Sequence, residues 1–142
     1  LNVDMPDLSD VDFKGRRILL AEDNDLNAEI AIEILKDVGL VVDRANDGLQ
    51  CVEMMEAAPS GYYDLVLMDI QMPRMNGYEA TRIIRQMDDK VKANVTILAM
   101  TANAFEEDKR EALKSGMNAH LSKPIEVDKL VKTLKRSLNS RK

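Results

Sequence analysis

The sequence predicts an α/β domain doubly wound about a five-stranded parallel sheet. Three observations point to it. Short apolar runs alternate with helical segments five times over, which is the pattern of βαβ units. The runs are apolar throughout, as in strands covered on both faces. Each run stops abruptly at polar residues, and those after the first and third runs are acidic.

The elements follow in order. Ile18-Leu19-Leu20-Ala21 is the first strand and stops at Glu22-Asp23-Asn24-Asp25. Leu26, Ile30, Ile34, Leu35 and Val38 then share a helical face, with Gly39 as a natural C-cap. Leu40-Val41-Val42 opens the second strand. Asp47-Gly48 turns into a helix carrying Leu49, Val52 and Met55, which ends near Pro59-Ser60-Gly61. Asp64 to Met68 is the third strand, stopping at Asp69. A loop from Gln71-Met72-Pro73 to Asn76-Gly77 leads into a helix over Tyr78–Met87. Val95–Met100 is the fourth strand, stopping at Thr101, and Phe105–Ser115 is helical with Gly116 as C-cap. Ala119-His120-Leu121 is a short fifth strand before Lys123-Pro124. The last helix runs from about Val127 to Leu138, with Leu130, Val131, Leu134 and Leu138 inward. Five strands favour the flavodoxin-like order 2-1-3-4-5 over a barrel, which needs eight. Crossovers should be right-handed.

Composition narrows the class. The chain has 142 residues, 45% hydrophobic and 32% charged, enough for one domain with a real core and too apolar for a disordered tail. A net charge of −5 supplies no basic field, so direct nucleic-acid binding is not expected. The single cysteine, Cys51, cannot form an internal disulfide and fits a reducing, cytosolic compartment. No apolar run approaches the ~20 residues of a membrane span. Residues 1–15 read as an acidic linker containing Pro6, from which Val11 and Phe13 can still dock, and residues 16–140 as the folded domain. The first 13 residues hold four Asp and no basic n-region, so no signal peptide is expected. The start at Leu rather than Met predicts a piece of a longer protein.

The chemistry lies at the carboxyl ends of the strands, where open doubly wound sheets bind ligands at the switch point between strands 1 and 3. Glu22-Asp23 ends one of these strands and Asp69 the other. Neighbouring strands lie ~4.8 Å apart, so three carboxylates converge. Their repulsion requires a bound cation or a proton. Acidic residues also cap helices, which accounts for Asp25 or Asp47 but poorly for the trio. Oxygen donors without nearby Cys or His favour Mg²⁺ or Mn²⁺. Thr101 ends strand 4 and Lys123 follows strand 5. An acid cluster, a cation, a hydroxyl and an ammonium in one cleft suit phosphoryl chemistry.

With these residues in place, the sequence resembles the receiver domain of two-component response regulators, over about Lys14 to Ser140. The motifs are ILLAEDN at 18–24, LVLMDIQMPRMNG at 65–77, MTANA at 100–104 and LSKP at 121–124. The resemblance implies that Asp69 is the phosphoacceptor. It implies that Asp23, Asp69 and the backbone carbonyl of Gln71 hold Mg²⁺, with Glu22 reaching it directly or through water. Thr101 would donate its hydroxyl to the phosphoryl group, Lys123 would pair with it, and the Lys123–Pro124 peptide would be cis. The domain would catalyse its own phosphorylation and dephosphorylation. AEDNDLNAEIA, MDIQMPRMNGYEATR and MTANAF are similar to receivers fused to hybrid sensor histidine kinases. The implied partners are a histidine kinase or histidine phosphotransfer domain, docking on the first helix and the loop around Met72 and Met75. A cytoplasmic, monomeric domain within a kinase parent is expected, and a membrane anchor elsewhere in the parent is compatible with it. Thr101 and His120 would form the switch, although His120 stands where the family most often has Tyr or Phe. Taken alone, a His near a strand end reads as a half-buried, hydrogen-bonded residue.

Three other classes fit less well. A phosphatase of the haloacid dehalogenase type needs a second Asp two residues after its nucleophile, and Gln71 stands there. A flavin-phosphate module needs an amide nest after strand 1, where Glu22-Asp23 would repel phosphate. A P-loop NTPase needs GxxxxGK[ST], which the sequence lacks.

Overall fold

The computed structural model describes residues 13–102, 106–123 and 125–139. Most of the expected linker, Asn103, Phe105 and the expected cis bond at Pro124 lie outside the described residues. The elements are β1 (Arg17–Ala21), α1 (Asp25–Asp37), β2 (Val41–Ala45), α2 (Gly48–Ala57), β3 (Leu65–Asp69), α3 (Gly77–Arg85), α4 (Lys90–Ala93), β4 (Thr96–Thr101), α5 (Glu106–Ser115), β5 (Ala119–Ser122) and α6 (Val127–Asn139). The five strands are parallel in the order β2-β1-β3-β4-β5, as the sequence predicts.

Alternation along the strands builds two cores. Ile18, Leu20, Leu65, Leu67, Leu98 and Met100 face α1 and α6 and meet Ala28, Ala31, Leu35, Leu130 and Leu134. Leu19, Ala21, Val66, Met68, Ile97 and Ala99 face the other way, onto Val52, Met55, Ala80, Ile84 and Ala112 of α2, α3 and α5. Both faces of β1, β3 and β4 are therefore dry, which is why these strands read as unbroken apolar runs. Phe13 is buried in the α1–α6 core, so the packed unit reaches upstream of Arg16. Cys51 is fully buried on the other side, and burial pushes its thiol up to about 12, leaving it inert.

One local reading needs correction, and one element lies where the sequence predicts none. The α1 face expected to be buried contains Leu26 and Ile30, but these are 64% and 50% exposed. The helix turns Ala28, Ala31 and Leu35 to the sheet instead. Its apolar stripe is broad, and the edge bearing alanines permits the closer approach. The short helix α4 was also not expected. It is a single turn whose start is capped by Asp89, which accepts from the Val91 and Lys92 amides at 2.9 and 3.3 Å.

At the amino end of the sheet, Arg85 ties several of these connections together. Its guanidinium donates to the carbonyls of Gly116 (2.8 Å), Ala93 (2.7 Å) and Val95 (2.7 Å) and to Asn118 Oδ1 (2.9 Å). All four acceptors are formally neutral, so burial holds the Arg85 pKa below its usual range. Arg85→Ala would remove the side-chain donor from three carbonyls in a half-buried seam, while Asn118 Oδ1 keeps the Ile97 amide (2.8 Å). It should lower stability in urea denaturation by about 2–3 kcal/mol; a loss under about 0.5 kcal/mol, the range of ordinary surface changes, would contradict this reading.

Candidate functional site

The strand order places the carboxyl ends of β1 and β3 side by side. Glu22 and Asp23 extend β1, and the Glu22 amide still donates to the Ala45 carbonyl (3.1 Å), which continues the β1–β2 ladder. Asp69 is the last residue of β3, in register with Met100 of β4. Gly77 closes the turn beyond it: its amide donates to the Ile70 carbonyl (2.8 Å), and a Cβ there would collide with the Asp69 carbonyl oxygen. Lys123 is positioned in the same way, its amide donating to the Thr101 carbonyl (2.8 Å) one step past the β4–β5 pairing.

From there the Lys123 side chain reaches back across the sheet ends. Its Nζ lies 3.0 Å from Asp69 Oδ1 and 3.1 Å from Glu22 Oε1. The other Glu22 oxygen accepts from the Asn24 amide at 3.2 Å, so both oxygens of this buried carboxylate have partners. Asn24 in turn caps α1 by accepting from the Asn27 amide (2.9 Å). Asp23 is exposed at the mouth. One carboxylate oxygen from each of Glu22, Asp23 and Asp69 lies within 4.8 Å of the others, a set that could hold a cation. These residues line a cleft of about 260 Å³ together with Gln71, Thr101 and Ala102.

The charge balance is uneven, because two buried carboxylates share one ammonium. Burial pushes Asp69 up from its ordinary 3.8 to about 6; Lys123 opposes the rise and Glu22 adds to it. Burial alone would lower the Lys123 pKa, but Asp69 and Glu22 outweigh it and hold the ammonium above its usual range. With Glu22 and Asp69 both ionised, one ammonium leaves the pocket one positive charge short of neutrality. A carboxylate in such a pocket is poorly solvated, and a divalent cation would relieve the shortfall of positive charge.

Glu22, Asp23, Asp69, Thr101 and Lys123 thus meet in one cleft, with Gln71 at its rim. His120 lies elsewhere, half-buried on β5 in register with Ala99. Sequence reasoning missed Arg44, whose Nε and Nη2 donate to the Glu22 carbonyl at 3.1 and 2.9 Å while Nη1 pairs with Asp25 (2.9 Å). A basic residue at the end of an edge strand beside three acids was the available signal. It also read Asp47 only as a cap, whereas Asp47 additionally binds Arg74.

This fold and these strand ends define a doubly wound α/β sandwich with an acidic, lysine-bearing cleft at its switch point, and comparison with known proteins gives its family. The chain belongs to the response regulator receiver domain family, whose model matches residues 18–135. It is 42% identical over 136 residues to hybrid signal transduction histidine kinase B of Dictyostelium discoideum, covering 89% of this chain and 7% of that protein. It is 34% identical over 144 residues to histidine kinase 3 of Arabidopsis thaliana, covering 89% of this chain and 14% of that protein. The chain therefore spans a small fraction of these relatives' length. The receiver domain of a sensor histidine kinase from Pseudomonas aeruginosa, solved with magnesium in its active-site cleft, superposes with a TM-score of 0.79 at 38% identity, over 88% of this chain and 98% of that one.

The raised Asp69 pKa carries a pH dependence. The folded chain holds a proton on Asp69 that the unfolded chain releases near its ordinary value. The resulting stabilisation is complete below 3.8 and is lost as pH rises through about 6. In EDTA, Asp69→Asn should therefore become progressively more stable than the parent between pH 4.5 and 7.5, by about 1–3 kcal/mol at the upper end. Urea denaturation across this range checks it, and a difference that stays flat would contradict it.

Proposed function

We propose that this chain takes a phosphoryl group from a phosphohistidine onto Asp69, and so serves as the receiver of a two-component phosphorelay. The observation that carries this reading is the Lys123 ammonium, 3.0 Å from an Asp69 oxygen in a cleft lined by two further carboxylates. In transfer, the Asp69 oxygen forms a bond to phosphorus while the P–N bond of the donor breaks. The electron pair returns to the ring nitrogen, which takes a proton from solvent. Lys123 neutralises one phosphoryl oxygen, and the Thr101 hydroxyl donates to another. Hydrolysis reverses the charge flow: water attacks phosphorus and the Asp69 carboxylate leaves.

The cation we assign is Mg²⁺, with Mn²⁺ as substitute. The donors fit it: clustered carboxylates, one of them exposed, with room for water in the cleft. Asp23, Asp69 and the Gln71 carbonyl would hold the ion. Glu22, already bonded to Lys123 and the Asn24 amide, would act through water or by setting the local charge. When bound, Mg²⁺ supplies the missing positive charge against the phosphoryl oxygens.

The parent we propose is a hybrid sensor histidine kinase. The kinase relatives support this. A solved yeast complex of a histidine phosphotransfer protein with the receiver of its downstream response regulator, which this chain resembles at 30% identity and a TM-score of 0.80 over 89% of its length, supports a phosphotransfer partner. The partner we propose is a histidine phosphotransfer domain seated on α1. Leu26 and Ile30 are exposed there, and Ile30 and Asn27 line a crevice that runs to Lys123. Among the described residues no helix is long and apolar enough to cross a membrane. We place this domain in the cytoplasm as a monomer, packed from Phe13 onward behind an upstream linker, and its switch at Thr101 and His120. The phosphatase alternative gains nothing from the structure: Gln71, where its general acid would stand, cannot transfer a proton.

Acetyl phosphate with Mg²⁺ should add one phosphoryl group by intact mass, and Asp69→Asn should abolish the addition. Full labelling of that variant would contradict the assignment. Ile30→Glu should slow transfer from a phosphotransfer domain by about tenfold, the effect of roughly 1.4 kcal/mol at a contact, and leave acetyl phosphate labelling intact. Equal slowing of both reactions would place Ile30 outside the docking surface.

A further inference from the structure

The loop that follows Asp69 is held in an unusual conformation. Among the described residues Arg74 is the one non-glycine residue at positive φ, 65°. The Met75 amide donates to the Pro73 carbonyl at 2.7 Å, closing a three-residue turn around Arg74. Positive φ at the centre of such a turn is the strained hand of a γ-turn, and it persists only where surrounding contacts over-determine it.

Those contacts come from α2. Arg74 Nε and Nη2 both lie 2.7 Å from Asp47 Oδ2, while Asp47 Oδ1 accepts from the Gln50 amide at 2.8 Å and caps the helix. The Asp47 carboxylate is only 8% exposed, so its charge needs a partner, and Arg74 provides it. The backbones meet as well, because a Cβ on Gly48 would strike the Met75 carbonyl oxygen. At its other end the loop is fixed by the Ile70 amide on the Met100 carbonyl (3.3 Å) and by the Gly77 amide on the Ile70 carbonyl (2.8 Å). Between these anchors lie Gln71, Met72 and Pro73, and Gln71 lines the cleft with Asp23 and Asp69.

We infer that the Asp47–Arg74 ion pair is a positioning clamp, holding the loop in its strained turn and thereby setting the Gln71 main-chain carbonyl for Mg²⁺. This rests on the metal reading given above. Without the pair, Arg74 relaxes toward negative φ and the peptide planes from Gln71 to Met75 turn with it. The metal then binds only the fraction of molecules that keep the turn, so affinity falls in proportion. Chemistry at saturating metal is unchanged, because neither residue touches the phosphoryl group.

The sign of two charge changes separates this from simple electrostatics. Arg74→Ala removes a positive charge and Asp47→Asn a negative one. A through-space effect would therefore strengthen Mg²⁺ binding in the first variant and weaken it in the second. The clamp weakens it in both, by about tenfold, as for other residues that orient a metal ligand. Asp47→Asn retains a good helix cap, so α2 should stay folded. Arg74→Gly adopts the same φ without strain and should lose less than Arg74→Ala.

The test is calorimetric titration of Mg²⁺ into the parent chain and these three variants, with amide hydrogen exchange at Met75 and Gly77 in EDTA. The clamp is expected to give weaker binding in both Arg74→Ala and Asp47→Asn, together with faster exchange of the Met75 amide in each. Opposite shifts in affinity, or affinities within twofold of the parent with unchanged exchange, would overturn it. A parent chain that bound no Mg²⁺ would strike the metal reading and the carbonyl's role together. The metal-free exchange would still decide whether the ion pair holds the loop.

Discussion

Glu22 and Asp69 are two buried carboxylates placed side by side with one ammonium between them. Much else follows from that crowding. A lone buried carboxylate would be costly, and a pair of them more so, unless a cation or proton joins them. Lys123 supplies half of the compensation. Burial, with Glu22 adding to it, still raises the Asp69 pKa, and the three clustered carboxylates could hold a divalent ion. The doubly wound order β2-β1-β3-β4-β5 brings the ends of β1 and β3 together while leaving β5 close enough for a long side chain to reach back.

Such a site needs a rigid platform, and the two ends of the sheet are built differently to provide one. At the amino end, Arg85 stitches the loops together through neutral acceptors and leaves no titratable partner to exploit. At the carboxyl end the charges are concentrated, and residues outside the cleft hold the backbone that presents them. Arg44 fixes the Glu22 carbonyl and Asn24 caps α1. Asp47 and Arg74 hold the loop beyond Asp69. Stability is thus given up at a few strand ends and recovered in the two apolar layers beneath them.

The strands were legible because β1, β3 and β4 are buried on both faces and so read as apolar runs. Their ends were legible because each run breaks at a polar residue: Glu22, Asp69 and Thr101. Lys123 could be added because β5 stops just before it. The buried face of α1 was misread, since periodicity located a broad apolar stripe and only packing decided that Ala28 and Ala31, rather than Leu26 and Ile30, meet the sheet. Helix α4 is too short for any period to register. The Asp47–Arg74 and Arg85 contacts join residues far apart in sequence, and no local pattern marks them.

A crystal structure of the chain with Mg²⁺ and beryllofluoride, a mimic of the bound phosphoryl group, tests the central claim most directly. The expected result is an adduct on an Asp69 carboxylate oxygen, with Lys123 Nζ and the Thr101 hydroxyl on its fluorines and Mg²⁺ on Asp23, Asp69 and the Gln71 carbonyl. An adduct on another residue, or an intact fold that binds Mg²⁺ yet leaves Asp69 unmodified, would contradict it.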